Sequence, residues 1–405
     1  MTGRCIAIAG CGIAGLACAA MLAREGERVT VFDRLETPRP LGSGLILQPV
    51  GLAVLDEIGS GADVRALGAP IRRLFGRVCP SDRVVLDVRY RHLGGPVREG
   101  LAVHRGALFE ALYHAALKAG VEIAAGREII SASDGRLGFA DGGTSARFDL
   151  VIDALGVKSP LSRKAPLAAL PFGALWVNLD WPNHVGSAAT FDEAALEQRY
   201  EAARMMVGVL PIGKLNIAGK KQAAFFWSLK EASHRAWLVT ELDVWKQEVL
   251  RLWPQTAALL DQISDHGQLI FATYSHGTLV SPLANSVVHI GDSWHSASPQ
   301  LGQGANMALL DAFALAQALR VRGDIAGALE VYSRTRRWHI RLYQLASWMF
   351  TPAYQSDSAA IAWVRDWLVS PLSRLWPAPA ILAALVAGSI GSPLSAIKAI
   401  GSRGS

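Results

Sequence analysis

Charge is scarce in this 405-residue chain: 18% of its residues are charged, against about 25% in an average soluble domain, while 51% are hydrophobic. That balance excludes disorder over most of the chain and provides for a large core, at a length that predicts two or three domains. Cysteine is scarce too. Cys5, Cys11, Cys18 and Cys79 form no CxxC pair and no metal-ligand spacing, so they read as small apolar residues in a reducing compartment. The ten histidines contain no HExxH arrangement, and no metal is expected. Basic residues exceed acidic ones by six, yet nowhere gather into a stripe with interleaved aromatics. Nucleic acid is therefore not an expected partner, and the excess suits anionic small molecules. Uninterrupted apolar runs of about 18 residues are missing as well. Residues 375–391 come nearest and are broken by Pro377, Pro379 and two glycines, so no transmembrane segment is expected. The N-terminus lacks the basic, apolar and cleavage regions of a secretion signal, which makes the cytoplasm the expected location.

What is present is concentrated at two places. Cys5-Ile6-Ala7-Ile8-Ala9 is an apolar run of strand length, followed by Gly10-Cys11-Gly12-Ile13-Ala14-Gly15 and a helical pattern through Ala23. In such a strand–turn–helix Gly10 permits the tight turn, Gly12 lets backbone approach a pyrophosphate, and Gly15 lets helix and strand pack closely. The amides and dipole of the helix N-terminus at Ile13 and Ala14 then face the phosphates. A second strand, Arg28-Val29-Thr30-Val31-Phe32, ends in Asp33, eighteen positions past Gly15, with Arg34 next to it. An acid there accepts hydrogen bonds from a free ribose 2′-hydroxyl, which fits NAD or FAD and not NADP. No second GxGxxG follows a strand later in the chain.

The other place is Val287-Val288-His289-Ile290, a strand ending in Gly291-Asp292 and leading through Ser298-Pro299-Gln300-Leu301-Gly302-Gln303-Gly304-Ala305-Asn306 into a helix from about residue 305 to 319. Free amides at such a helix start stabilise the charge of a reduced flavin, and Asp292 suits a ribityl hydroxyl. With the block from Asp149-Leu150-Val151-Ile152-Asp153-Ala154-Leu155-Gly156 through Val157-Lys158-Ser159-Pro160-Leu161-Ser162-Arg163 and the lesser matches Gly42-Ser43-Gly44-Leu45, Leu47-Gln48-Pro49 and Arg105-Gly106-Ala107-Leu108, these blocks cover residues 1 to about 345. In them the chain resembles the single-component FAD-dependent aromatic hydroxylases, flavoprotein monooxygenases of the para-hydroxybenzoate hydroxylase fold.

The resemblance implies an α/β protein with a Rossmann-like FAD-binding domain, an interleaved and mostly antiparallel substrate domain, and C-terminal helices. The domains are expected at 1–70, 96–170 and 275–345 for FAD, 71–95 and 171–274 for substrate, and 346–400 for the helices. It implies FAD, with NADPH or NADH as electron donor, dioxygen, and an aromatic or electron-rich small molecule hydroxylated through a flavin C4a-hydroperoxide. It places Arg105 against the flavin and its phosphates, Asp292 on the ribityl chain, Pro299 beside the ring, and residues 302–306 around its pyrimidine edge. No catalytic base is singled out. An FAD oxidase or dehydrogenase on the same scaffold, and a flavin-binding module without turnover, stay open. The halogenases' WxWxIP segment is absent.

One position departs from the family. Leu155 stands before Gly156 where the family carries Asp, a residue that helps hold FAD and the nicotinamide nucleotide; Asp153, on the same strand face by period-two alternation, is the candidate substitute. In the middle of the chain, strands are expected at 74–78 and 84–88 as a hairpin, then at 174–179, 205–210, 223–229, 237–240 and 269–272. Trp176, Asn178, Phe225, Trp227 and His184 are the candidate substrate-pocket residues, and His295 reads as structural. Toward the C-terminus Arg334, Arg336, Arg337 and Arg341 alternate with Trp338, Leu342, Leu345 and Trp348, and Trp363 and Trp367 continue the apolar trend. These apolar residues are expected to pack onto the same chain, with peripheral membrane contact or a homodimer face as the alternative use.

Overall fold

The computed structural model describes residues 3–39, 42–95, 99–162, 168–182, 191–284 and 287–402. Ile6 and Ile8 of strand Cys5–Ala9 point to one side and Ala7 and Ala9 to the other, and both faces are covered. This strand lies inside a six-stranded sheet, flanked by Arg28–Phe32 and Leu150–Asp153. Glu122–Ala124 and Val287–His289 extend it in parallel, and Leu283–Ala284 closes one edge antiparallel. The isoleucine face is roofed by helices Ile13–Arg24, Arg105–Lys118 and Gly304–Val321, and the alanine face by the hairpin Ile129–Ser133 and Arg136–Phe139. Small side chains on the first helix, from Ala17 to Ala20, are what let it nest against Gly304–Val321.

The middle of the chain forms an eight-stranded sheet. Its order is His295–Ser296, Ile270–Thr278, Ala168–Asp180, Gln222–Lys230, Met205–Gly213, Ala195–Glu201, Arg73–Val78 and Arg83–Arg89. All neighbours are antiparallel except Ala195–Glu201 with Arg73–Val78. The expected hairpin and four of the five further strands are present. Residues 237–240 are different: Trp237 lies in the helix His234–Val239, because the indole is needed on the helix side of the core, beside Trp245 and Val249. Strand Ala195–Glu201 escaped the sequence pattern because its alternate residues are charged. A three-stranded sheet of Gly44–Leu47, Gly100–His104 and Ala69–Ile71 stands between the two large sheets.

The helix Ile325–Tyr354 packs one face, including Tyr332, Arg336, His339 and Tyr343, onto Gly304–Val321. Short helices continue to Ser402. The expectation that the C-terminal apolar residues pack onto their own chain is corrected here: Trp338, Trp348, Trp363, Trp367 and Trp376 are all exposed. Among the described residues no helix is long and apolar enough to cross a membrane.

Candidate active site

Both glycine turns sit at the carboxyl ends of parallel strands, where an open α/β sheet receives ligands. Gly10 has φ +108°, and a Cβ there would lie 2.6 Å from the Ala154 carbonyl oxygen. At Gly15 a Cβ would lie 2.0 Å from the Gly10 oxygen, whereas Gly12 is exposed with nothing within 4 Å. The turn is thus closed on its protein side and open on the other. Ile13 is buried and Ala14 half-buried at the helix start, which no side chain caps. Asp33 stands over this turn: its Oδ2 accepts from Cys11 N at 3.0 Å and its Oδ1 from Leu35 N at 2.9 Å. Arg34 is exposed beside it.

The second turn meets the first. A Cβ on Gly291 would sit 3.2 Å from that of Ala14. Asp292 is exposed, lines a cleft with Ser298, Gln303 and Gly304, and lies close enough to Arg105 to act on its charge. The Arg105 side chain passes 3.4 Å from where a Gly42 Cβ would be, so three segments distant in sequence converge there. Pro299 is exposed on the loop, Gly302 has φ +61°, and Gly304 faces open space. Ala305 follows in the first turn of a helix with no side-chain cap. Those first-turn amides have no partner within the helix and are available to an anionic ring edge.

Asn306 and Gln303 serve differently from the sequence expectation. Asn306 Oδ1 accepts from Gln48 N at 2.7 Å, and its Nδ2 donates to the carbonyls of Ile46 and Gly302. Gln303 Nε2 donates to the Val386 carbonyl. The Asn306 side chain is thus spent inside the protein, whereas Gln303 keeps a buried Oε1 without a partner beside the cleft. The buried Gln48 Nε2, 3.9 Å from where a Gly302 Cβ would be, has no partner, nor do Ser298 Oγ and Gln300 Nε2. Unmet buried polar atoms beside an open glycine loop are what a bound polar ring would satisfy. The residues therefore fit FAD.

Gly156 has φ +82° and faces open space, and Leu155 packs against the apolar layer that holds Phe148 and Leu161. Asp153 does not substitute for the missing acid. It is fully buried, with Oδ1 taken by Leu155 N at 2.9 Å and Oδ2 by Ser159 Oγ at 2.6 Å and His289 Nδ1 at 2.8 Å. Alternation gave its direction along the strand, but the buried imidazole across the sheet claims the carboxylate.

On the substrate side, strand parity sorts the candidates. Phe225 and Trp227 lie opposite Val177 and Leu175, with Trp237 and Trp245 packed over them. They are core on the far face, which corrects their expected place in the pocket. Trp176 and Asn178 take the other face. The Trp176 ring lies 4.6 Å from that of Phe226, and its Nε1 donates to Tyr274 Oη at 3.0 Å. Burial pushes the Tyr274 phenol up to about 12, so it stays protonated and retains an O–H to donate. Asn178 touches both Ser43 Oγ and His104 Nε2, the latter at 2.8 Å. His104 Nδ1 accepts from Gly106 N at 2.9 Å, so the ring proton is on Nε2; the Asn178 Nδ2 placed at that contact would set two donors against each other, and the amide is therefore turned, with its oxygen toward His104 and its nitrogen toward Ser43 Oγ. Burial lowers the His104 pKa and keeps this ring neutral. His184 lies outside the described residues.

Sequence reasoning missed Ser43 as a contact, together with His104, Phe226 and Tyr274. Their signal was positional: His104 precedes a helix start, and Phe226 is one residue out of phase with the two aromatics chosen. It also missed the support beneath the Gly291 turn. Buried Asp311 accepts from Gly291 N at 2.8 Å, His295 Nε2 at 2.6 Å and Arg336 Nε at 2.7 Å. Burial works against its charge, but His295 and Arg336 outweigh that and hold the carboxyl below the usual range. His295 is buried and bonded to Asp311.

Comparison with known proteins agrees with this geometry. The family described as FAD binding domain matches residues 5–342. The chain is 28% identical over 375 residues to 2-heptyl-3-hydroxy-4(1H)-quinolone synthase of Pseudomonas aeruginosa strain UCBPP-PA14, covering 90% of this chain and 93% of that one. The structure of Klebsiella pneumoniae HpxO complexed with FAD and uric acid superposes with a TM-score of 0.78 at 20% identity, over 97% of this chain and 99% of that one. The tetrameric form of 2-methyl-3-hydroxypyridine-5-carboxylic acid oxygenase gives 0.75 at 21% identity, over 93% and 99%. The fold is therefore that of these flavoproteins, and the chain belongs to the FAD-binding-domain family as an FAD-dependent oxidoreductase of the monooxygenase kind.

Proposed function

We propose that this monooxygenase places one oxygen atom of dioxygen on a planar, electron-rich aromatic or N-heterocyclic molecule, with NADPH or NADH as the electron donor. The observation that carries the substrate class is the arrangement of Trp176, Phe226, Tyr274 and Asn178 on one face of the eight-stranded sheet, with His104 meeting Asn178 from the end of a strand of the small sheet. Aromatic walls stack a flat ring, and an amide fixed at one end reads its carbonyl or ring nitrogen. The kinds of molecule named for the relatives, a quinolone, uric acid and a hydroxypyridine, suit such a wall.

When bound, FAD supplies the redox chemistry. The residues' share is binding, orientation and proton placement. The turn from Gly10 to Gly15 takes the pyrophosphate, Asp33 a ribose hydroxyl, Asp292 and Arg105 the ribityl and phosphate side, and the amides of Gly304 and Ala305 the ring edge. Pro299 shapes the loop beside the ring. His104, neutral and fixed by Gly106, turns the Asn178 amide so that an N–H is available on the Ser43 side. No side chain is assigned as base. We divide the chain into FAD-binding segments 1–70, 96–170 and 275–345, a substrate domain of 71–95 and 171–274, and a helical region of 346–400, acting in the cytoplasm as monomer or homodimer.

Anaerobic bleaching of the flavin absorbance tests this, with NADPH or NADH and a panel of quinolones, hydroxypyridines and phenols. One ring class should accelerate bleaching, and under labelled dioxygen its product should carry the label. Reduction by the ring compound itself, with no label in the product, would instead indicate an oxidase or dehydrogenase.

A further inference from the structure

Fifteen of the twenty-four exposed large apolar side chains among the described residues fall between Trp338 and Ile381. Every exposed tryptophan is among them: Trp338, Trp348, Trp363, Trp367 and Trp376. On the long helix, Trp338, Leu342, Leu345 and Met349 recur at spacings of four, three and four, so they form one outward stripe opposite the face that packs onto the FAD-binding segments. The following helices join this stripe where Arg365 donates to the Ala353 carbonyl. A soluble monomer rarely shows so many large apolar side chains in one place.

The polar residues among them are of one sign. Arg337, Arg341 and Arg374 are exposed, and Arg341 lies 5.5 Å from the Trp338 ring centre, while Arg334, one turn before the face, is paired with Glu330. The two acids of this region are engaged: Asp357 pairs with Lys230, and Asp366 with the buried Arg365. Arg83, from the neighbouring strand, lies over Trp367 at 3.3 Å. Tryptophan beside arginine is the composition that settles at the headgroup level of a bilayer, with indoles at the acyl boundary and guanidiniums on phosphate. A second copy would set the same arginines against each other across a twofold axis, without carboxylates to meet them.

We infer that the face from Trp338 to Ile381 docks the enzyme peripherally on an anionic phospholipid bilayer, with no segment spanning it. Its inner side carries Tyr343, Gln344 and Ser347, which line the cleft beside the Pro299 loop, so the docked enzyme presents its active-site mouth near the lipid surface.

Sedimentation of the FAD-loaded full chain with vesicles tests this independently of turnover. Equimolar phosphatidylglycerol and phosphatidylcholine vesicles should pellet the protein, with a blue shift of tryptophan emission, and phosphatidylcholine alone should pellet far less. The double variant R337Q/R341Q should lower partitioning about tenfold or more, and W363S/W367S should weaken both pelleting and the blue shift. Unchanged flavin absorbance and melting temperature show that each variant is folded. No pelleting on either vesicle, equal pelleting on both, or a wild-type dimer that W363S/W367S converts to monomer would each overturn the inference.

Discussion

At the scale of single residues, the site depends on which atoms remain free once internal bonds are made. His104 keeps its proton on Nε2 because Gly106 N–H occupies Nδ1, and Asn178 is the acceptor that arrangement requires. Asn178→Leu leaves that N–H unmet and should cost about 1–3 kcal/mol of stability in urea denaturation, while the FAD dissociation constant changes little. Asn178→Asp should act oppositely on the ring. A carboxylate at 178 favours the imidazolium, so the His104 pKa rises from its lowered value and the pH–rate profile departs from that of the wild type. A profile identical to that of the wild type would show that the amide does not govern the ring. Leu155 offers a second test. Leu155→Asp restores an acid at a half-buried position beside the open Gly156 turn and should speed anaerobic reduction by NADH or NADPH, read by stopped flow. An unchanged rate would mean that the leucine is not what limits access of the nicotinamide nucleotide.

At the scale of elements, the helix Gly304–Val321 carries the flavin-side amides on one end and Asp311 in its middle, and Asp311 is tied to the long helix by Arg336. Arg336 Nη1 donates to His339 Nδ1, and His339 Nε2 donates to the Gly388 carbonyl, so this imidazole is neutral. Burial, reinforced by the Arg336 charge, lowers its pKa from 6.5 to about 3. Between those values the unfolded chain binds a proton that the folded chain refuses. Stability from this group is therefore complete above pH 6.5 and declines as pH falls toward 3. At pH 5 the loss should be about 2 kcal/mol relative to neutral pH. His339→Gln, which can accept from Arg336 and donate to Gly388, should flatten that limb; urea midpoints at the two pH values give the comparison. The element level also shows what sequence can carry. The strand–turn–helix at residues 5–24 and the turn at 291–306 were legible because glycine spacing and local apolar period are local signals. The face taken by Phe225, the partner of Asp153 and the Asp311–Arg336 pair depend on contacts across sheets or between helices. Local period does not encode those. The exposed C-terminal tryptophans have the helical period of a buried face, and only tertiary placement distinguishes the two.

At the scale of the whole molecule, the two large sheets meet through the small one, and the join is close-packed at Gly44. A Cβ there would lie 2.2 Å from Ile212 Cγ2 and 3.2 Å from Ala224 Cβ, both on strands of the eight-stranded sheet. Ile212 is fully buried and β-branched, so it has little freedom to yield. Gly44→Ala should therefore push the sheets apart, at about 1–3 kcal/mol for overpacking. The consequence for function is selective. Gly10, Gly12 and Asp33 belong to the six-stranded side and do not cross the join, whereas Ser43 crosses it to Asn178. Gly44→Ala should accordingly lower kcat for the preferred ring compound by tenfold or more while the FAD dissociation constant, from flavin fluorescence titration, stays within about threefold of wild type, since 1.4 kcal/mol corresponds to a factor of ten. If both fell together, the nucleotide side would depend on the join as much as the substrate side does. If neither changed, Ile212 would have moved aside, and the spacing of the sheets would be set elsewhere than at this glycine.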